Sequence, residues 1–372
     1  MSTPIDTRNI RATVRSLNHI LATEYPSLSF YEKTKLFLLP VKNCPRDYYK
    51  TVENALILDP NDEYTKKMVA IQRHYIKFSA ASFGSFVKIN KKYEAGCSYG
   101  PYQYRLSNSK FGSKSMKNAC TILDLEADNI HFVNKKSKQL LPVCFYVVDD
   151  AKKEVDIVIR GTLSMHDLST DLDFTPVPFK GGFTHGGILK ATNNLLALME
   201  KAQFLETIPN NYKIVLTGHS LGGGVATVMG FILREKYGDR VRTLAFSPVP
   251  TVSRELIEDS KQFTTTMVLG YDPVCSYSEK SIFDYVEKRY NLPHSETPRM
   301  YLYPGGKIYH FINHTVPPEN SSAIKSLKYR RDWVLKVQDN TFFDSFTPSG
   351  AELYIYHNVG IQYKILDEFV KE

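Results

Sequence analysis

No window of this 372-residue chain reaches the roughly 18 consecutive apolar residues that a bilayer-spanning helix requires, so a transmembrane segment is not expected. The first 24 residues also lack an uninterrupted apolar core, because Asp6, Arg8, Arg11 and Arg15 break it, and they do not read as a secretory signal. Lipidation signals are missing as well. Ser2 stands where myristoylation needs glycine, and the terminal Phe369-Val370-Lys371-Glu372 is not a prenylation box. Cysteine is scarce. Its five copies are odd in number, scattered and without metal-ligand spacing, which points to reduced thiols in a cytoplasmic setting and to no metal centre. There are no internal repeats, no low-complexity linker and no basic stripe interleaved with aromatics, so nucleic-acid binding is not expected. The net charge of +8 is modest and suits attraction to an anionic lipid surface, although dispersed lysines are also what a solvated surface carries.

What is present is a change of pattern along the chain. Residues 8–80 read as mostly helical. Ile10, Val14, Leu17, Ile20 and Leu21 recur at helical spacing, and so do Met68, Ile71, Tyr75, Ile76 and Ser79. Arg8, Arg11 and Arg15 beside Ile10, Val14 and Leu17 would also suit a helix lying in a membrane interface. From about residue 140, short β-rich runs alternate with helical stretches. Strands are expected at 143–148, 155–160, 213–217, 242–246, 265–269 and 307–312, and helices at 187–200, 223–236 and 361–370. Such alternation predicts a largely parallel sheet with helices on both faces, an α/β-hydrolase-type fold with an N-terminal helical extension. The division is placed as an extension over 1–67 and a catalytic domain over 68–372.

The run Lys213 to Thr217 leads into Gly218-His219-Ser220-Leu221-Gly222 and then a helix. Strand, Gly-x-Ser-x-Gly and helix make a nucleophile elbow, in which a sharp turn raises a serine above the sheet edge. Gly218 and Gly222 are needed because strand and helix approach too closely for side chains, and His219 shapes the turn. A serine hydroxyl becomes a nucleophile only when a histidine takes its proton and an acid orients that histidine. Both partners are expected after Ser220. Asp272, following the β-like run 265–269, is the leading acid, with Asp284 and Asp332 as rivals; it is equally placed to cap the turn at Pro273. For the base, His294, His310, His314 and His357 all follow. His310 lies inside an expected strand and reads as structural, while His357 precedes the terminal helix. Oxyanion donors are expected at the backbone N–H of Leu221 and at Thr162, after the strand that ends in Arg160-Gly161.

Collinear segments resemble the class 3 (fungal-type) lipases, most closely the catalytic domain of sn-1-specific diacylglycerol lipases. They are Ile159 to Ser164 with Thr170-Asp171-Leu172, His185 to Leu189, Leu216 to Ala226, Ala245 to Pro248, Val268 to Val274, Leu302 to Lys307 and the region of His357. Tyr75 to Gly84 resembles the helix that opens that family's catalytic domain. The resemblance implies Ser220 as nucleophile, Asp272 as acid, His357 as base, and Thr162 with Leu221 as oxyanion hole. It implies hydrolysis of a glycerolipid acyl ester, most closely the sn-1 ester of diacylglycerol, without a cofactor or a metal in the chemical step. Contact with a membrane or lipid-droplet surface goes with such a substrate. The animal diacylglycerol lipases carry four transmembrane helices and a long insertion after the acid strand. Here no such helices are evident, and only a short span separates Asp272 from Leu302. A phospholipase A1 or general carboxylesterase would use the same residues. An inactive hydrolase fold acting as a lipid-binding or scaffold module is the non-enzymatic alternative, against which the complete set of reactive residues speaks. Residues 173–184, with Phe174, Pro176, Val177, Pro178 and Phe179, suit either a lid or a loop tucked against the domain.

Overall fold

The computed structural model describes residues 56–89, 95–97, 110–162, 174–294, 296–313, 333–345 and 356–369. Residues 8–55 of the expected extension, the segment 163–173, His314 and Asp332 lie outside them.

Thirteen strands are described. Nine of them form one sheet: β1 (Leu56–Ile57), β4 (His131–Asn134), β5 (Cys144–Asp149), β6 (Glu154–Ile159), β9 (Lys213–His219), β10 (Val241–Phe246), β11 (Thr264–Leu269), β12 (Lys307–Asn313) and β13 (Trp333–Gln338). Their spatial order is β1-β13-β12-β11-β10-β9-β6-β5-β4. The central strands β6, β9, β10, β11 and β12 run parallel, and the flanking β4, β5, β13 and β1 pair antiparallel. Two small hairpins stand apart: β2 (Val87–Ile89) with β3 (Ala95–Cys97), and β7 (Pro176–Phe179) with β8 (Gly182–His185).

Period-two alternation sends neighbouring residues to opposite faces and builds two cores. On one face Phe145, Val158, Val215, Phe246, Met267 and Phe311 pack beneath α1 (Glu63–Ser82), α2 (Ser113–Leu123) and the last helix, α7 (Val359–Phe369). On the other, Cys144, Ile157, Ile159, Ile214 and Leu216 pack against α3 (Gly186–Lys201) and α4 (Leu221–Tyr237). Two more helices, α5 (Ile257–Lys261) and α6 (Glu279–Tyr290), follow β10 and β11 respectively. A mostly parallel sheet buried between helical layers, with the elbow leaving its middle strand, is the α/β-hydrolase fold.

The helix α1 starts where Asp62 accepts the Thr65 N–H at 3.0 Å, so it runs across the division placed at residue 68. Its inward stripe is Met68, Val69, Gln72, Tyr75, Ile76 and Ser79. Ile71, expected on that stripe, is 40% exposed because the buried arc is centred on Val69, Gln72 and Ile76. The β7–β8 hairpin is tied down rather than loose. Phe183 N–H donates to Ser253 Oγ at 3.0 Å, Ser253 N–H to Phe183 O at 3.0 Å, and Thr184 Oγ1 to Thr251 O at 2.6 Å. Residues 176–185 therefore take the tucked arrangement of the two expected for this stretch. No helix among the described residues is long and apolar enough to cross a membrane.

Candidate active site

Ser220 sits between β9 and α4 with φ 60° and ψ −129°, a conformation that costs a non-glycine residue energy and is kept only where the surroundings enforce it. Three backbone hydrogen bonds do so here. The Ser220 N–H donates to Phe246 O at 2.9 Å, and the Ser220 carbonyl accepts from Gly223 and Gly224 at 3.0 and 3.1 Å. The turn is so tight that a Cβ on Gly218 would lie 2.3 Å from the carbonyl carbon of Gly222. One on Gly222 would lie 2.1 Å from Ile159 O. Both glycines are therefore fixed by backbone approach.

Asp272 follows β11 through Gly270 and is fully buried. One carboxylate oxygen, Oδ1, accepts the Val274 N–H at 3.0 Å and caps the short turn Pro273–Ser276. The other, Oδ2, lies 2.8 Å from His357 Nδ1. His357 precedes α7, and its Nε2 lies 2.8 Å from Ser220 Oγ. With its Nδ1 proton donated to the carboxylate, the ring presents an Nε2 lone pair to the serine hydroxyl. Ser220, Asp272 and His357 are thus joined in one hydrogen-bonded line, from three separate sheet loops.

The other residues named from sequence fall as follows. Leu221 is the first residue of α4, where helical N–H groups have no partner within the helix. Thr162 follows Gly161, at which a Cβ would lie 3.2 Å from Ser220 Cβ and 2.5 Å from His219 O. The chain just after β6 and the elbow are therefore in contact. His219 is buried, with its ring 4.5 Å from that of His357 and Phe83 edge-on at 5.7 Å. Burial, and secondarily the field of His357, holds it well below the usual histidine range. It stays neutral and adds no positive charge beside His357. His310 is structural. Its Nε2–H donates to Gly270 O at 2.6 Å, and burial pushes its pKa down to about 4. His294 and Asp284 stand apart from Ser220. His294 bonds Glu287 at 2.6 Å, and Lys280 bonds Asp284 at 2.9 Å. One ligand atom each from Asp284, Glu287 and His294 lies within 4.8 Å of the others, but Lys280 and the Tyr301 hydroxyl already serve Asp284.

The supporting contacts of three residues were not read from the sequence. Gln362 on α7 is fully buried and donates to Ser247 Oγ at 2.7 Å and Tyr356 O at 2.9 Å, pinning the residue before His357 to the end of β10. Gly270, at φ +52°, lies under the Tyr356 ring, where a Cβ would come within 2.4 Å. Arg160 is buried and donates from Nη2 to Ser137 Oγ at 2.7 Å. Only helical periodicity around Gln362 offered a hint, since a buried glutamine on an apolar face needs partners.

Residues 157–281 match the family described as Lipase (class 3). By that match this segment is similar to the class 3 lipases. It contains Ser220 and Asp272, whereas His357 lies beyond the match and reaches the site through the fold. Diacylglycerol lipase-beta of Mus musculus is 29% identical over 230 residues, which are 57% of this chain and 34% of that protein. Diacylglycerol lipase-alpha of Homo sapiens is 36% identical over 146 residues, 35% of this chain and 14% of that one. The chain thus spans about a third or less of these curated relatives. Among solved structures, the lipase from Rhizopus microsporus var. chinensis is similar at 17% identity with a TM-score of 0.49, covering 83% of this chain and 92% of that one.

Proposed function

We propose that this protein is a class 3 lipase that hydrolyses an acyl ester of a glycerolipid, with the sn-1 ester of diacylglycerol as its substrate. The observation that carries the reading is the single histidine, His357, bonded at 2.8 Å to both Ser220 Oγ and Asp272 Oδ2. His357 takes the Ser220 proton as Oγ attacks the ester carbonyl, and Asp272 stabilises the imidazolium that forms. The tetrahedral oxyanion is held by the Leu221 N–H and by Thr162, with the N-terminus of α4 favouring the negative charge. His357 then protonates the leaving alcohol, and water, activated by the same ring, releases the fatty acid from Ser220. Diacylglycerol is favoured over other glycerolipids because the relatives named above are diacylglycerol lipases.

The test compares the protein with its Ser220→Ala variant on dioleoylglycerol, triolein, phosphatidylcholine and a soluble short-chain ester. Serine-dependent release of the sn-1 chain from dioleoylglycerol is the expected result. Preference for phosphatidylcholine would move the assignment to a phospholipase, and hydrolysis of the soluble ester alone to a carboxylesterase. The scattered cysteines, of which Cys120, Cys144 and Cys275 form no disulfide, support a cytoplasmic setting with peripheral contact at a lipid surface. Fractionation recovering the native protein only from the medium would contradict that setting.

A further inference from the structure

Carboxylates are absent from the sequence between Glu94 and Asp124 and again between Asp128 and Asp149. The two acid-free stretches meet in the fold. Lys110 and Lys136 form an antiparallel bridge, and the Phe111 N–H donates to Lys135 O at 2.8 Å. Phe111 is buried against Phe132, with ring centres 5.1 Å apart, which locks the junction. Lys110, Lys114, Lys117, Lys135, Lys136 and Lys138 are all exposed around it. None has an ion-pair partner among the described residues. Several lysines elsewhere are paired, as Lys152 with Asp149 at 3.0 Å, Lys236 with Glu206 at 3.1 Å and Lys261 with Glu258 at 2.7 Å.

Helix stability does not explain this arrangement. The first turn of α2 carries no acid and does carry Lys114, while Asp124 stands at its C-terminal cap. Each charge is at the end of the helix that the macrodipole disfavours. The patch also has a defined place relative to the active site. Asn134 is in register with Cys144, Cys144 with Ile159, and Ile159 with Gly218, so the 135–143 loop lies at the Ser220 end of the sheet. Arg160 bonds Ser137, between Lys136 and Lys138, and is followed by Gly161, at which a Cβ would lie 3.2 Å from Ser220 Cβ.

We infer that this lysine face docks the protein on an anionic lipid surface, turning the Ser220 edge of the sheet towards the bilayer. The inference deepens the lipase reading and rests on it for the choice of a lipid rather than another polyanion. A basic surface gains about fivefold in partition for each lysine near such a membrane, about 1 kcal/mol, and the attraction decays within a Debye length of roughly 8 Å at physiological salt.

The experiment is co-sedimentation of the full chain, carrying Ser220→Ala to prevent turnover, with vesicles of phosphatidylcholine alone or mixed with phosphatidylserine. Binding is expected to favour the mixed vesicles and to weaken with added salt. Replacing Lys114, Lys117, Lys136 and Lys138 by glutamine should remove that preference, with a loss of about fivefold per lysine. With Ser220 intact, the same four replacements should leave hydrolysis of a soluble short-chain ester and the unfolding midpoint unchanged, which separates docking from folding. Equal binding to both vesicle types, or a preference that survives the four replacements, would overturn the inference. Vesicle preference without any ester hydrolysis by the Ser220 form would remove the lipase reading and leave the docking face standing.

Discussion

Asp272 meets two demands with one carboxylate, capping the turn through Oδ1 and holding His357 through Oδ2. The sequence offered these as competing readings of the residue, and geometry shows they are compatible. Replacing Asp272 by Asn keeps the cap acceptor but lets an amide donate to Nδ1, which favours the tautomer that cannot accept the Ser220 proton. We expect kcat to fall roughly 10³- to 10⁴-fold, with a circular-dichroism melt close to wild type. A fall of only a few fold would mean that Asp272 is a turn cap alone. Legibility at this scale followed chemistry. Ser220 was marked by the glycines around it, whereas four histidines competed for the base because proximity across 137 residues leaves no local trace. Only His310 was set apart, by its place inside a strand, and its Nε2 is spent on Gly270 O.

Elements were legible where both periodicity and composition agreed. The strands β9, β10, β11 and β12 were read within two residues, because buried parallel strands are short, apolar and bounded by turns. The helix α6 was missed because its charged sequence, from Glu279 to Tyr290, shows little apolar stripe, and β13 because it pairs at the sheet's margin. Two predictions belong here. Gly222→Ala places a methyl against the immovable Ile159 carbonyl and should lower stability in denaturant titration by about 1–3 kcal/mol or more; an unchanged midpoint would show that the strand–helix approach is looser than described. Gln362→Met removes both bonds that fasten α7 to Ser247 and to the Tyr356 carbonyl. It should lower kcat by roughly 10- to 100-fold at nearly constant KM, because His357 loses its fixed approach to Ser220. A rise in KM with kcat intact would instead give Gln362 a role in substrate binding.

For the whole molecule, the sheet and its two helical layers were foreseeable from alternation, while antiparallel flanks and the joining of β1 to β13 depend on long-range pairing that a linear pattern does not encode. The same global packing buries Asp156 in β6, where Oδ1 has no hydrogen-bond partner and burial raises the carboxyl to about 7, with Glu154 adding to the shift. A raised carboxyl pKa favours the protonated folded state. The stabilisation is full below an ordinary 3.8 and is lost as pH rises through about 7. Asp156→Asn should therefore raise the unfolding free energy at pH 8, by on the order of a few kcal/mol, and flatten the decline between about pH 4 and 7. An unchanged pH profile would show that Asp156 remains ionised in the fold.

The central claim is that His357 activates Ser220, and covalent trapping tests it most directly. A fluorophosphonate should label the native protein on the peptide that contains Ser220, with no labelling after Ser220→Ala and labelling slowed at least about 100-fold after His357→Ala, in line with the contribution of a general base. Labelling of another residue, or equal rates with and without His357, would contradict the account.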